Sequence, residues 1–113
     1  MSEPSVEALR ASVLRVLEET HAEYAQMPFF VRALVRRGFG KRTGHDLAGW
    51  TRLLAGPAGP LVAALPDLAL HFDGAPARAK RGMGARPEEL VEVERRSRAR
   101  AAAVRALLAA LHA

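Results

Sequence analysis

Cysteine is absent, so the chain has no disulfide, no zinc-finger site and no thiol nucleophile. Isoleucine and asparagine are missing as well, and Arg heavily outnumbers Lys, a bias that reads first as the codon usage of a GC-rich genome. The arginine excess is therefore weaker evidence for phosphate binding than its count implies. Aromatic residues make up only 5% of the chain. They are not regularly interleaved with the basic residues, which argues against base stacking along a single strand. No segment alternates β-branched and polar residues as a strand would, and no repeat recurs at a solenoid period. The start, Met1-Ser2-Glu3-Pro4, lacks a basic region followed by an apolar stretch; no secretory signal is expected, and the cytoplasm is the default expectation. The most apolar segment, Leu53 to Phe72, is interrupted by Gly56, Pro57, Gly59, Pro60, Pro66 and Asp67. It offers no unbroken apolar run of the ~20 residues a bilayer requires. A buried, broken pair of short helices is expected there, and no membrane partner.

What remains is ordinary globular composition: 113 residues, 50% hydrophobic and 26% charged, enough for a single domain spanning 1–113. The net charge of +5 is unevenly spread. Residues 1–27 are acidic, with Arg10 and Arg15 against Glu3, Glu7, Glu18, Glu19 and Glu23. Residues 28–52 are basic, with Arg32, Arg36, Arg37, Lys41, Arg42 and Arg52 against Asp46 alone.

Apolar spacing predicts a first helix from about Ser5 to Tyr24, with Val6, Leu9, Val13, Val16 and Leu17 on one stripe and Ser2 or Ser5 as cap. Pro28 ends it and opens a second helix, Phe29 to Arg37, expected to stop at Gly38 and Gly40. Thr43-Gly44-His45-Asp46 reads as a capping box, with the Thr hydroxyl as cap, for a third helix, His45 to Ala55, that buries Leu47, Trp50 and Leu54. After the turn at residues 56–60, two short helices are expected, Leu61 to Leu65 and Asp67 to Phe72. Residues 73–86 lack hydrophobic periodicity and read as a mobile basic loop. Pro87 then opens the longest helix, to about Leu111, with Leu90, Val93, Ala101, Val104, Leu108 and Leu111 as its stripe. Glu92 to Arg96 and Glu94 to Arg98 stand in the favourable four-residue order. The whole is an all-α chain, a compact bundle of four to five helices with long N- and C-terminal helices packed antiparallel.

Few patterns carry chemistry. Gly38-Phe39-Gly40-Lys41-Arg42-Thr43 imitates a phosphate loop, but Arg42 separates the lysine from the threonine and a helix precedes instead of a strand. His21, His45, His71 and His112 show no helical ligand spacing, so no metal is expected; His21 with Glu18 reads as a surface contact. The carboxylates of Glu18, Glu19 and Glu23 read as a solvated face. No catalytic residue and no cofactor is indicated, which points away from an enzyme. Trp50, Phe29, Phe30 and Phe39 are expected in the core. Two adjacent phenylalanines cannot both face one core, however, so Met27-Pro28-Phe29-Phe30 reads alternatively as an exposed docking patch.

The segment AQMPFFVRALVRR (25–37), through Pro28, Phe29, Phe30, Val31, Arg32, Val35, Arg36 and Arg37, resembles the small C-terminal domain of light-independent protochlorophyllide reductase subunits, the PCP reductase type. Residues 43–53 echo that domain's second helix across a shorter linker, while the last sixty or so residues have no counterpart. The resemblance covers about a quarter of the chain. It implies a small helical module associated with a larger bacterial redox or pigment-synthesis enzyme, and it carries no catalytic residue.

Two functions follow as expectations. The first is a non-enzymatic accessory protein that meets a protein partner, or a second copy of itself, through Phe29, Phe30, Arg32, Arg36 and Arg37. The alternative is a nucleic-acid-binding module that contacts phosphates through Lys41, Arg42, Arg78, Lys80, Arg81 and Arg86.

Overall fold

A computed structural model describes residues 3–82 and 84–113. Among these residues six helices follow one another: α1 (Val6–Ala25), α2 (Phe29–Thr43), α3 (Leu47–Ala55), α4 (Ala58–Asp73), α5 (Ala75–Gly82) and α6 (Pro87–His112). There is no strand among the described residues, and the fold is the all-α bundle that the periodicity predicts. Its thinnest dimension, 19 Å, leaves room for no more than about two helix diameters.

α1 begins where a serine is available to cap it: Ser5 Oγ accepts from the Ala8 N–H at 3.1 Å. The alternative cap, Ser2, lies outside the described residues. The buried stripe of α1 is Val13, Leu17, Thr20, His21 and Tyr24, so the apolar spacing extends through three polar side chains at its C-terminal end. His21 is thus a buried residue rather than a surface partner of Glu18. α6 buries Ser97, Ala101, Val104 and Leu107, with Leu108 and Leu111 packed against that core, and lies against α4 and α1. Of the two expected ion pairs on α6, Glu92–Arg96 forms at 3.8 Å, whereas Glu92 meets Arg95 more closely, at 2.5 Å.

Four local expectations are corrected. α2 does not stop at Gly38 or Gly40. It runs to Thr43 and ends on Gly44, whose positive φ of 82° glycine tolerates and whose N–H bonds Gly40 O at 2.8 Å. Two helix-interior glycines cost about 1 kcal/mol each. Phe39, fully buried between them, offsets that cost with roughly 1.5–3 kcal/mol of apolar burial.

Thr43 is not the cap of α3. Asp46 is, with Oδ1 accepting from the Gly49 N–H at 2.7 Å. The Thr43 hydroxyl is held instead by Trp50, whose indole Nε1–H donates to it at 3.0 Å. The hydroxyl's single proton is left for Phe39 O at 2.9 Å or His45 O at 3.0 Å.

The two short helices expected over 61–72 are one helix, α4, with Pro66 inside it. Proline removes one backbone hydrogen bond and costs about 3 kcal/mol. Leu61, Leu65, Leu68 and Phe72 outweigh it by burying one face on both sides of the break. Finally, the middle of the expected loop, residues 75–82, is the helix α5. It buries no residue, which explains the missing apolar period, and it is held by packing on α6 and α4.

Arg10 joins the two ends of the first half of the fold. Its Nη1 donates to Leu54 O at 2.7 Å and Gly56 O at 2.8 Å, satisfying carbonyls that the end of α3 leaves open. Arg10→Met keeps the aliphatic stem and removes both bonds. It is expected to lower unfolding stability by about 1–2 kcal/mol, read as a lower urea midpoint at unchanged m-value.

Candidate functional site

Two features stand out from the solvated surface: the first half of α2, and a cavity behind its second half. Phe39 and Thr43 anchor the C-terminal part of α2, whereas the N-terminal part lies largely open to solvent. Phe29 is 76%, Phe30 69% and Leu34 67% exposed. Trp50 and Phe39 are core residues as expected. Phe29 and Phe30 are not, because the buried face of this helix is set by Phe39, and residues nine and ten positions earlier fall beyond the packed surface.

Arg32 lies over the Phe29 ring, 5.6 Å from its centroid. Arg36 and Arg37 are exposed nearby. α2 contains no acidic residue, and none of its basic side chains forms an ion pair among the described residues. Apolar and cationic groups are therefore both left without a partner on one surface.

The cavity, about 490 Å³, lies between α1, α2, α4, α5 and α6. Its polar floor is His71, brought in by the α4 stripe, with Tyr24 from α1. Arg42 Nε donates to His71 Nδ1 at 3.2 Å, and Arg78 Nη2 lies 3.4 Å from the same nitrogen while donating to His71 O at 2.6 Å. An Nδ1 that accepts from a guanidinium leaves the proton on Nε2, which faces the Tyr24 hydroxyl at 3.4 Å. Burial, then the charges of Arg78, Arg42 and His21, hold His71 down to about 3, so the ring is neutral at ordinary pH. Burial is also the main cause that lowers His21 and raises Tyr24.

Phe39 stands edge-on between the two imidazoles, 4.7 Å from His21 and 4.9 Å from His71. On the α6 side, Glu23 receives Arg96 at 2.9 Å and Arg100 at 2.6 Å, tying the end of α1 to α6. Its expected place on a solvated face is corrected: it is half-buried. Burial would raise its carboxyl, but the bonds and charges of Arg100 and Arg96 prevail and lower it.

The fold divides the residues expected to bind phosphate. Arg42 and Arg78, thirty-six positions apart in sequence, meet at His71. Lys41, Lys80 and Arg81 stay on the surface, and Arg86 pairs with Glu89 at 2.7 Å and Glu88 at 4.0 Å. Neither His71, Tyr24 and Glu23 nor the inward-facing Arg96 and Arg100 stands out from composition or motif. His21 and Tyr24 were nonetheless within reach of the sequence, because both continue the α1 stripe, just as His71 falls between Leu68 and Phe72 on that of α4. Among the described residues no three His, Asp or Glu side chains converge as a metal site, and no helix is long and apolar enough to cross a membrane. Comparison of the chain with protein-family models, with curated proteins and with solved structures returns no match.

Proposed function

We propose that the chain is a non-enzymatic interaction protein that docks the first half of α2 onto an apolar, acid-lined groove of another protein. The observation that carries this reading is the exposure of Phe29, Phe30 and Leu34 beside arginines that have no acidic partner among the described residues. Leaving such side chains in water forgoes roughly 1.5–3 kcal/mol each, and contiguous exposed apolar surface of this kind marks interaction sites. Phe30 and Leu34 are four residues apart and present one helical ridge, the arrangement used when a helix lies in a groove.

Charge selects the class of partner. Two copies meeting α2 to α2 would set one basic surface against another, since α2 contains no acidic residue, which disfavours a symmetric dimer. An acidic partner face neutralises them. The resemblance at 25–37, which implies a module attached to a larger enzyme, agrees with this reading. The phosphate-backbone alternative has less support. Arg86 is paired, and Arg42, although exposed, converges with Arg78 on His71 instead of spreading along one surface with Lys41, Lys80 and Arg81.

The test places a photo-crosslinking amino acid at position 30 and maps the crosslinked residue on the partner. Crosslinks to one apolar surface flanked by Asp or Glu, lost when Arg32, Arg36 and Arg37 are changed to Glu, support the reading. Crosslinks that survive this charge reversal, or that form only between copies of the chain, overturn it. With the crosslinking residue moved to position 34, Phe29→Ala with Phe30→Ala is expected to move unfolding stability by no more than about 0.5 kcal/mol while abolishing the crosslinked complex, since exposed side chains contribute little to the isolated fold.

A further inference from the structure

We propose that the cavity behind α2 binds a medium-chain carboxylate, with Arg42 and Arg78 holding the anionic head and the apolar wall holding the chain. Three independent observations on the cavity converge on that ligand class.

Charge comes first. Arg42 and Arg78 both reach one nitrogen of a neutral imidazole, and neither meets a carboxylate among the described residues. Two guanidinium groups held this close repel one another, and an anion between them relieves that repulsion. The carboxylates on the cavity wall are already engaged: Glu23 by Arg96 and Arg100, and Glu89 by Arg86. Placing an anion there therefore costs no existing ion pair.

Donors come second. The Nη1 and Nη2 atoms of Arg42 and the Nη1 of Arg78 make no hydrogen bond within the described chain. Arg96, on the same wall, buries its Nε without a hydrogen-bond partner, its nearest carboxylate oxygen being that of Glu92 at 3.8 Å. Once Nε2 of His71 donates to it, the Tyr24 hydroxyl has its own proton to give. These groups suit carboxylate oxygens, which only accept.

Room comes third. A Cβ at Gly74 would lie 2.8 Å from Arg78 Nη1, and one at Gly38 would lie 3.0 Å from Arg42 Nη1. Each guanidinium thus occupies space that a side chain at the glycine would take, so the absence of a Cβ is what lets it lie there. Met27, Val35, Phe72, Ala79 and Val93 give the wall an apolar side, while its carboxylates, Glu23 and Glu89, are already ion-paired. A volume of about 490 Å³ lies within the range of small-molecule sites and accommodates a ten-carbon chain.

The test is isothermal titration of decanoate into the full chain, with decanol and inorganic phosphate as comparison probes, and the fold of every variant checked first by circular dichroism. Saturable one-to-one binding of decanoate, at least about tenfold tighter than decanol or phosphate, is expected. Arg42→Gln with Arg78→Gln should weaken decanoate by a similar factor. Ala79→Trp, which fills the cavity without touching the charges, should abolish binding, and Phe29→Ala with Phe30→Ala should leave it unchanged. Gly74→Ala, which displaces the Arg78 guanidinium, provides a milder variant if the double glutamine change unfolds the chain, and it should weaken decanoate severalfold. Absence of decanoate binding, equal binding of decanol, or binding indifferent to Ala79→Trp overturns the proposal. Tight phosphate binding lost with the two arginines would overturn the carboxylate assignment in favour of a phosphate site.

Discussion

Phe39→Ala is expected to lower the unfolding free energy by about 3–5 kcal/mol, a large share of the roughly 5–15 kcal/mol that stabilises a domain of this size. The ring is fully buried and meets His21 and His71 edge-on, with Tyr24 a further 6.3 Å contact. Such pairs add about 0.5–1.5 kcal/mol beyond area burial. The same ring anchors the part of α2 that contains Gly38 and Gly40, so its loss removes the tertiary contact that offsets their helix cost. It also opens the space between α1 and α4, where His71 holds Arg42. Urea unfolding followed by the fluorescence of the single tryptophan, Trp50, which is itself fully buried, reads the effect directly. Phe39→Leu refills part of the space and should recover about half of the loss. A cost below about 1 kcal/mol for Phe39→Ala would show that α2 is anchored elsewhere.

Lowering the pH from 7 to 5 is expected to cost about 2 kcal/mol through His71 alone. The unfolded chain protonates an ordinary histidine near pH 6.5, whereas the folded one keeps His71 neutral down to about 3, because burial, Arg78, Arg42 and His21 all oppose a positive ring. Between those values the unfolded state binds the extra proton. Stability is therefore fully present above about pH 6.5 and declines by about 1.4 kcal/mol per pH unit as the pH falls toward 3. His21, also lowered by burial, adds to the loss in the same direction. Glu23 contributes stability in the opposite sense of charge: its lowered carboxyl loses its advantage only below its ordinary value of 4.5. The interval from pH 7 to 5 therefore isolates the histidines. Urea midpoints at pH 7, 6 and 5 should fall steadily for the native chain and much less for His71→Gln, whose amide oxygen can still accept from Arg42. A midpoint independent of pH over this interval would mean that His71 accepts a proton in the folded state.

These two expectations differ in how far the sequence foreshadowed them. Val13 and Leu17 on α1, and Ala101 and Val104 on α6, recur at helical spacing, and that spacing alone placed the two longest helices and excluded a sheet. The conflict between Phe29 and Phe30 was also legible, because adjacent helical residues point about 100° apart and cannot share a buried face. What adjacency left open was which of them stays outside. The packing of Phe39 decided that both do.

The convergence of Arg42, Arg78, Tyr24 and His71 was out of reach of the sequence, since no local spacing relates residues on four different helices. The same reason explains the glycines inside α2, the proline inside α4 and the helix at 75–82. Local propensity assigns each a cost of up to about 3 kcal/mol, whereas the burial and packing that outweigh it come from neighbours distant in the chain. By itself, then, the sequence determined which segments are helical wherever an apolar stripe repeats, and that the basic charge gathers after residue 28. Only the tertiary structure decided which arginines face inward and which aromatics stay outside, because burial and charge pairing belong to residues brought together from separate helices.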